Sequence, residues 1–362
     1  PQRRAPPPPP PALPPLVSGP TVVELFAGGG GLARGLHVTG WHHHLLLEWD
    51  KHAVATLRNA FGASRVCQAD VNDVDWSAIP RPALLTGGPP CQPFSFGGHR
   101  LGTEDPRNCW PAFLRAAEVL RPPIVIGENV AGMERPDTKA YAESILARLR
   151  ELYPWATIWR MDAADFGAPQ HRRRVFMVGA TSPVSPPRPT HGPPASLGTL
   201  LARLNGTTAP HVTMRAALGL GPDATGGIVG HGFADDRPLD LDRPSPTVCT
   251  SGIGCRINES GQRTPWELGI ERQIRAGGRR VSATSSANPL GKRAYHDQEA
   301  RKAKFYGMRD LTVAELATLQ GFPADWPWGA GSTATKRQIG NAVSVHQAVA
   351  LGRAVRAWLE SQ

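Results

Sequence analysis

From Thr21 onward the chain alternates short apolar runs with amphipathic stretches, and no other feature narrows the fold as much. The runs are Thr21-Val22-Val23-Glu24-Leu25-Phe26, Leu45-Leu46-Leu47-Glu48-Trp49-Asp50, Val66-Cys67-Gln68-Ala69, Ala83-Leu84-Leu85, Ile124-Val125-Ile126 and Arg174-Val175-Phe176-Met177-Val178-Gly179. Candidate helices lie between them, notably over 51–61 and 110–120. Runs too short to be helices, separated by helical periodicity, read as repeated βα units. They predict an α/β fold with a mostly parallel sheet covered by helices on both faces.

Residues 1–19 are dominated by proline, including the unbroken run from Pro6 to Pro11, and read as a disordered polyproline tail. The pattern then divides into a catalytic and cofactor-binding domain at 20–180, an irregular second domain at 181–305, and a return to the first domain at 306–362. The second domain is rich in Gly, Pro, Arg and Ser, with basic clusters at Arg279-Arg280, Lys292-Arg293 and Arg301-Lys302. Helical patterns resume at 312–320 and 344–359. A formal charge of +10 makes a polyanion the expected partner, although genome base composition can also enrich arginine. Five cysteines, an odd number without a Cys-x-x-Cys pair, indicate neither a disulfide framework nor a zinc site. The run His42-His43-His44 is expected to be a solvated turn, because adjacent histidines cannot converge on one ion. No apolar run is long enough to span a bilayer, and proline stands where a signal peptide needs an apolar core, so a cytoplasmic protein is expected.

Phe26-Ala27-Gly28-Gly29-Gly30-Gly31-Leu32 closes the first run and opens a helix. In that context glycines such as Gly28 and Gly30 let backbone approach a nucleotide-like ligand. Glu48 at the next run's end is placed for ribose hydroxyls, Trp49 for stacking on an adenine, and Asp70 for an adenine amino group. The glycines alone fit a nicotinamide-binding domain equally well. In Pro89-Pro90-Cys91-Gln92 a cysteine sits on a stiff loop just past a strand, where it is either a nucleophile or a small buried hydrophobe.

Taken in order with Gly127-Glu128-Asn129-Val130, Gln170-His171-Arg172-Arg173-Arg174, Leu319-Gln320-Gly321-Phe322-Pro323 and Gln338-Ile339-Gly340-Asn341-Ala342-Val343, these segments resemble the bacterial and phage DNA (cytosine-5)-methyltransferases from Thr21 to about Gly352. The resemblance implies a Rossmann-like S-adenosylmethionine-dependent domain with a smaller target-recognition domain. It implies S-adenosyl-L-methionine as cofactor and S-adenosyl-L-homocysteine as product, held by Phe26, Gly28, Gly30, Glu48, Trp49, Asp70 and Asn341, with no metal. It further implies Cys91 as nucleophile toward carbon 6 of a flipped cytosine, Glu128 at ring nitrogen 3, and Arg172 and Arg174 at the base. Gln92, Ser95, Asn129, Gln170 and Thr250 are the implied substrate contacts. Double-stranded DNA is the implied partner of a monomer, with a cognate restriction endonuclease as a candidate second partner.

The chain departs from the family at Trp110, where leucine is usual, and at Asp162, where asparagine is common. The stretch Thr312-Val313-Ala314-Glu315-Leu316-Ala317-Thr318 lacks the arginines that usually organise the recognition domain. Three other functions compete: the same chemistry on tRNA, whose Cys-Phe-Thr signature is absent, a silent DNA-binding protein on the same scaffold, and a nicotinamide oxidoreductase.

Overall fold

The computed structural model describes residues 19–90, 108–193, 208–228, 237–250, 255–259 and 308–362. Seven strands form the main sheet: β1 (Thr21–Leu25), β2 (His42–Glu48), β3 (Val66–Gln68), β4 (Leu84–Gly87), β5 (Ile124–Val130), β6 (Trp155–Asp162) and β7 (Arg173–Ala180). Their spatial order is β3-β2-β1-β4-β5-β7-β6. β1 to β5 pair in parallel, as the βα alternation predicts. β7 runs antiparallel to both β5 and β6, which makes the sheet mixed at one edge.

Helices α1 (Gly31–Val38), α2 (Lys51–Phe61), α3 (Trp110–Leu120) and α4 (Lys139–Leu152) connect these strands. α2 starts where Asp50 accepts hydrogen bonds from the His52 and Ala53 amides and stops at Gly62, whose φ of 86° suits glycine. One face of the sheet packs Leu25, Leu47, Leu85 and Val125 against Trp110, Phe113, Ile145 and Leu149 of α3 and α4. The other packs Val22, Leu84 and Ile126 against α1 and the last helix of the chain.

The chain then leaves for a second lobe made of β8 (His191–Gly192), β9 (Ala209–Pro210), α5 (Met214–Leu218), β10 (Thr225–Ile228), β11 (Arg237–Leu239), β12 (Cys255–Asn258) and β13 (Arg309–Asp310). β10 to β13 make a four-stranded antiparallel sheet in the order β11-β10-β12-β13. α6 (Val313–Gln320), α7 (Ser332–Asn341) and α8 (Val345–Glu360) complete the first lobe. A single apolar cluster joins Leu46, Val54 and Leu57 to Met214, Leu241, Val248 and Ile257 through Leu316 and Leu319, so the lobes share one core.

The histidine run departs from expectation. His42–His44 begin β2, with His43 and His44 buried. His43 meets the buried Glu24 of β1 at 3.1 Å, so two polar side chains cover each other inside the sheet. Three consecutive histidines show neither an apolar run nor an apolar–polar alternation, so the sequence marks no strand there.

Candidate active site

The strand ends converge on a cleft of about 290 Å³ lined by Phe26, Gly28, Glu48, Pro89, Pro90, Glu128, Arg172, Arg174, Gln338 and Asn341, among others. It opens beyond the carboxyl ends of the parallel strands, the position that open α/β sheets reserve for ligands.

The glycine loop enters from β1. Phe26 holds a left-handed φ of 56°, which a side chain adopts only when its surroundings enforce it. Gly28 and Gly30 follow at φ 55° and 85°. Across the loop, Glu48 accepts hydrogen bonds from the amides of Gly28 at 2.8 Å, Trp49 at 2.9 Å and Asp50 at 2.8 Å. Burial raises its carboxyl above the usual range, although these amides pull the other way.

Trp49 is 72% exposed and, with Asp70, lies outside the residues that line this cleft. Asp70 caps a short turn by accepting from the Asn72 amide at 2.9 Å. Gly30 caps α1 and packs beneath Trp326. Asn341 lines the cleft at the end of α7.

A second group faces the cleft from β5 and β7. Glu128 and Arg174 occupy facing strands, with Arg174 Nε 2.8 Å from Glu128 Oε1. Burial pushes the Glu128 carboxyl up, opposed by the charges of Arg174 and Arg172. A methyl at Gly88 would press on Glu128 Oε2, so that glycine keeps room for the carboxyl.

Arg172 is 1% exposed and donates to Val248 O at 2.8 Å and Gly340 O at 2.7 Å. Asn129 is buried and donates to Pro89 O at 3.0 Å, which fixes the proline loop that leads into Cys91. Cys91, Gln92 and Ser95 lie outside the described residues. Thr250 is described and exposed on the second lobe, adjoining Gly340.

Gln170 differs from a substrate contact. It is fully buried, accepts from the Val248 amide at 3.1 Å, and donates to Leu319 O at 2.8 Å and to Gln320 Oε1. With the acceptor and both N–H groups engaged, it holds elements together and presents nothing to a ligand.

The departures noted in the sequence find local explanations. Trp110 is fully buried, fills the space above Gly127 and stacks edgewise on Phe113, away from the cleft lining. Asp162 accepts from His171 at 3.0 Å and from the Arg172 amide at 2.8 Å. In place of arginines on α6, Arg309 from β13 bridges Glu315 of that helix at 2.7 Å and Glu259 beyond β12.

Several lining residues escaped sequence reasoning: Glu24, Asp50, Arg337 and Gln338. Arg337 reaches Asp50 Oδ2 at 3.1 Å across the cleft. Gln338 is buried, and neither its Oε1 nor its Nε2 has a partner among the described residues. A buried amide left unsatisfied beside a cleft points to a polar ligand group that would complete it. Gln338 precedes Asn341 by three residues in the same motif, so its position is legible in the sequence while its burial is not.

No cluster of His, Cys, Asp and Glu able to hold a metal occurs among the described residues. No described helix is long and apolar enough to cross a membrane.

Comparison with known proteins gives a consistent picture. The family model for C-5 cytosine-specific DNA methylase matches residues 20–205 and 245–357. Type II methyltransferase M.NaeI of Lentzea aerocolonigenes is 31% identical over 94% of this chain and 76% of its own length. Type II methyltransferase M.NgoMIV of Neisseria gonorrhoeae is 30% identical over 92% of this chain and 96% of its own. Among solved structures, a putative DNA modification methyltransferase from an E. coli prophage covers 94% of this chain with a TM-score of 0.58 at 21% identity. S. pombe Dnmt2 methyltransferase covers 95% with a TM-score of 0.60 at 16% identity, a likeness of fold.

Proposed function

Because this chain belongs to the C-5 cytosine-specific DNA methylase family, we propose that it transfers a methyl group from S-adenosylmethionine to carbon 5 of a cytosine flipped out of duplex DNA, at a specific sequence. The observation that carries this reading is the pairing of Glu128 with Arg174 opposite the glycine loop, in one cleft fed by the Pro89-Pro90 loop.

The cleft fits the cofactor chemically. Glu48, fixed by three amides, offers carboxylate oxygens to ribose hydroxyls. Gln338 offers an unpaired donor and acceptor side by side, which suits the zwitterionic end of an amino acid. Phe26 adds an aromatic surface, and Gly28 and Asn341 frame the same space. When bound, the cofactor supplies an activated methyl group.

The chain's own residues prepare the acceptor. Carbon 5 of cytosine is weakly nucleophilic, so the Cys91 thiolate adds to carbon 6 and displaces the ring's electrons toward carbon 5. Glu128, raised by burial, holds a proton at ring nitrogen 3 and relieves the charge that develops there. Arg174 keeps that carboxyl in place and adds positive charge to the base pocket. After methylation, loss of the proton from carbon 5 and elimination of the cysteine restore aromaticity and the free thiol. The basic second lobe would contact the duplex, and a cognate restriction endonuclease would be the functional partner, as the Type II names of the relatives suggest.

Sequencing DNA for 5-methylcytosine from a host expressing the protein tests the reading and returns the recognised sequence. Absence of 5-methylcytosine with folded protein present would refute it, and competition by RNA in a labelled-methyl assay would redirect it to RNA. Cys91→Ala should bind cofactor normally and show no turnover. Trapping on a duplex carrying 5-fluorocytosine checks the covalent step at the same sulfur.

A further inference from the structure

Two buried glutamine amides and one buried arginine close a ring of hydrogen bonds between the lobes. Arg172 donates to Val248 O at 2.8 Å, and the Val248 amide donates to Gln170 Oε1 at 3.1 Å. Gln170 Nε2 donates to Gln320 Oε1. Gln320 Nε2 donates to Ile339 O at 3.0 Å and to Ala342 O at 2.6 Å. Arg172 returns to the carbonyl of the intervening Gly340 at 2.7 Å.

Gln170 and Gln320 are fully buried, and Arg172 is 1% exposed. Each amide uses its acceptor and both its N–H groups, so neither can turn without breaking bonds that no water would replace. Packing at Gly340 is equally strict, since a methyl there would collide with the backbone of Cys249 and Thr250.

The ring touches three functional segments at once. The end of α7 carries Asn341 into the cleft, the 169–172 turn carries Arg172, and Val248 lies between β11 and β12 of the second lobe. A shift of the end of α7 would reach Val248 by two routes, through Arg172 and through Gln320 with Gln170.

We propose that Gln320 is a positioning residue that couples occupation of the cofactor cleft to the seating of DNA on the second lobe. It touches neither ligand and acts through Arg172 and Val248. The idea rests on the methyltransferase reading above.

The test measures S-adenosylhomocysteine affinity with and without a duplex bearing the sequence found by methylome sequencing, and duplex affinity with and without S-adenosylhomocysteine. In the wild type each ligand should tighten the other by one common factor, roughly 5- to 150-fold, as reciprocity requires. Gln320→Met keeps volume and removes the amide, and should bring that factor to within about twofold of one, with affinity for S-adenosylhomocysteine alone changed less than about threefold. Gln170→Met breaks the ring at its other side and should do the same. A fold that merely tolerated the substitution badly would instead lose both single-ligand affinities in parallel.

Hydrogen exchange in the unmutated protein supplies a measurement independent of any variant: S-adenosylhomocysteine should slow exchange of the Val248 amide. Coupling retained in both folded variants overturns the proposal, as does unchanged Val248 exchange. A protein that binds S-adenosylhomocysteine and slows Val248 exchange yet never binds or methylates DNA would contradict the substrate reading and leave the ring's mechanical link supported.

Discussion

Glu128 shows how one side chain is tuned by opposing forces. Burial favours its neutral form while Arg174 and Arg172 favour the anion, and burial prevails. A carboxyl that must hold a proton loses that role as pH rises through its elevated pKa, so kcat/KM should fall on the alkaline side. Glu128→Gln cannot ionise and should flatten that limb while slowing transfer by about 10²- to 10⁴-fold, both read from a pH–rate profile. Phe26 makes a different kind of prediction, because its left-handed φ of 56° stores strain. Phe26→Gly and Phe26→Ala both remove the ring, but the glycine variant should be more stable than the alanine one by about 1 kcal/mol in urea denaturation. Sequence named Glu128, Phe26 and Glu48 because family order marks them. It was blind to Glu24 and Gln338, whose importance lies in being buried beside a partner or beside none.

Among elements, the 162–172 turn concentrates the charge that steers Arg172. Burial alone would raise Asp162, yet hydrogen bonds from His171 and the Arg172 amide hold it below the usual carboxylate range. The bond to Asp162 lifts His171 above its ordinary value, against partial burial and the nearby Arg173. Stabilisation from a raised histidine is complete below its unfolded pKa of about 6.5 and disappears as pH climbs through the folded value. Stabilisation from the lowered Asp162 is complete above about 3.9 and disappears as pH falls through its folded value. His171→Gln should therefore lose less melting temperature than the wild type as pH rises above about 6.5, measured by calorimetry. On α6, Thr312 and Glu315 form a reciprocal capping box, and Thr312→Ala should cost about 1 kcal/mol of stability. The βα order made β1 to β5, α2 and α3 legible, since each carries its own apolar period. The reversal of β7 was not, because an apolar run has no arrow and strand direction is decided by the turn that feeds it.

At the scale of the whole molecule, the two lobes share a core, so a ligand in the cleft of the first lobe stabilises both. Saturation with S-adenosylhomocysteine at 100 times Kd should add about 2.7 kcal/mol and shift a single cooperative melt rather than split it. The change in composition after Gly179 coincides with the end of β7, while the junction of the lobes leaves no trace in the sequence, since it is made by residues far apart in it. That junction has a property of its own. The 245–248 segment meets the turn before β7 chiefly through main-chain atoms: the Ser245 amide on Pro169 O, the His171 amide on Ser245 O, and the Val248 peptide on Gln170 and Arg172, with the Thr247 hydroxyl adding a side-chain hydrogen bond to His171 O. Main-chain contacts are indifferent to the identity of neighbouring side chains. Because these peptide groups would survive replacement of the segment after residue 250, such a graft is expected to leave both the seam and the cleft intact.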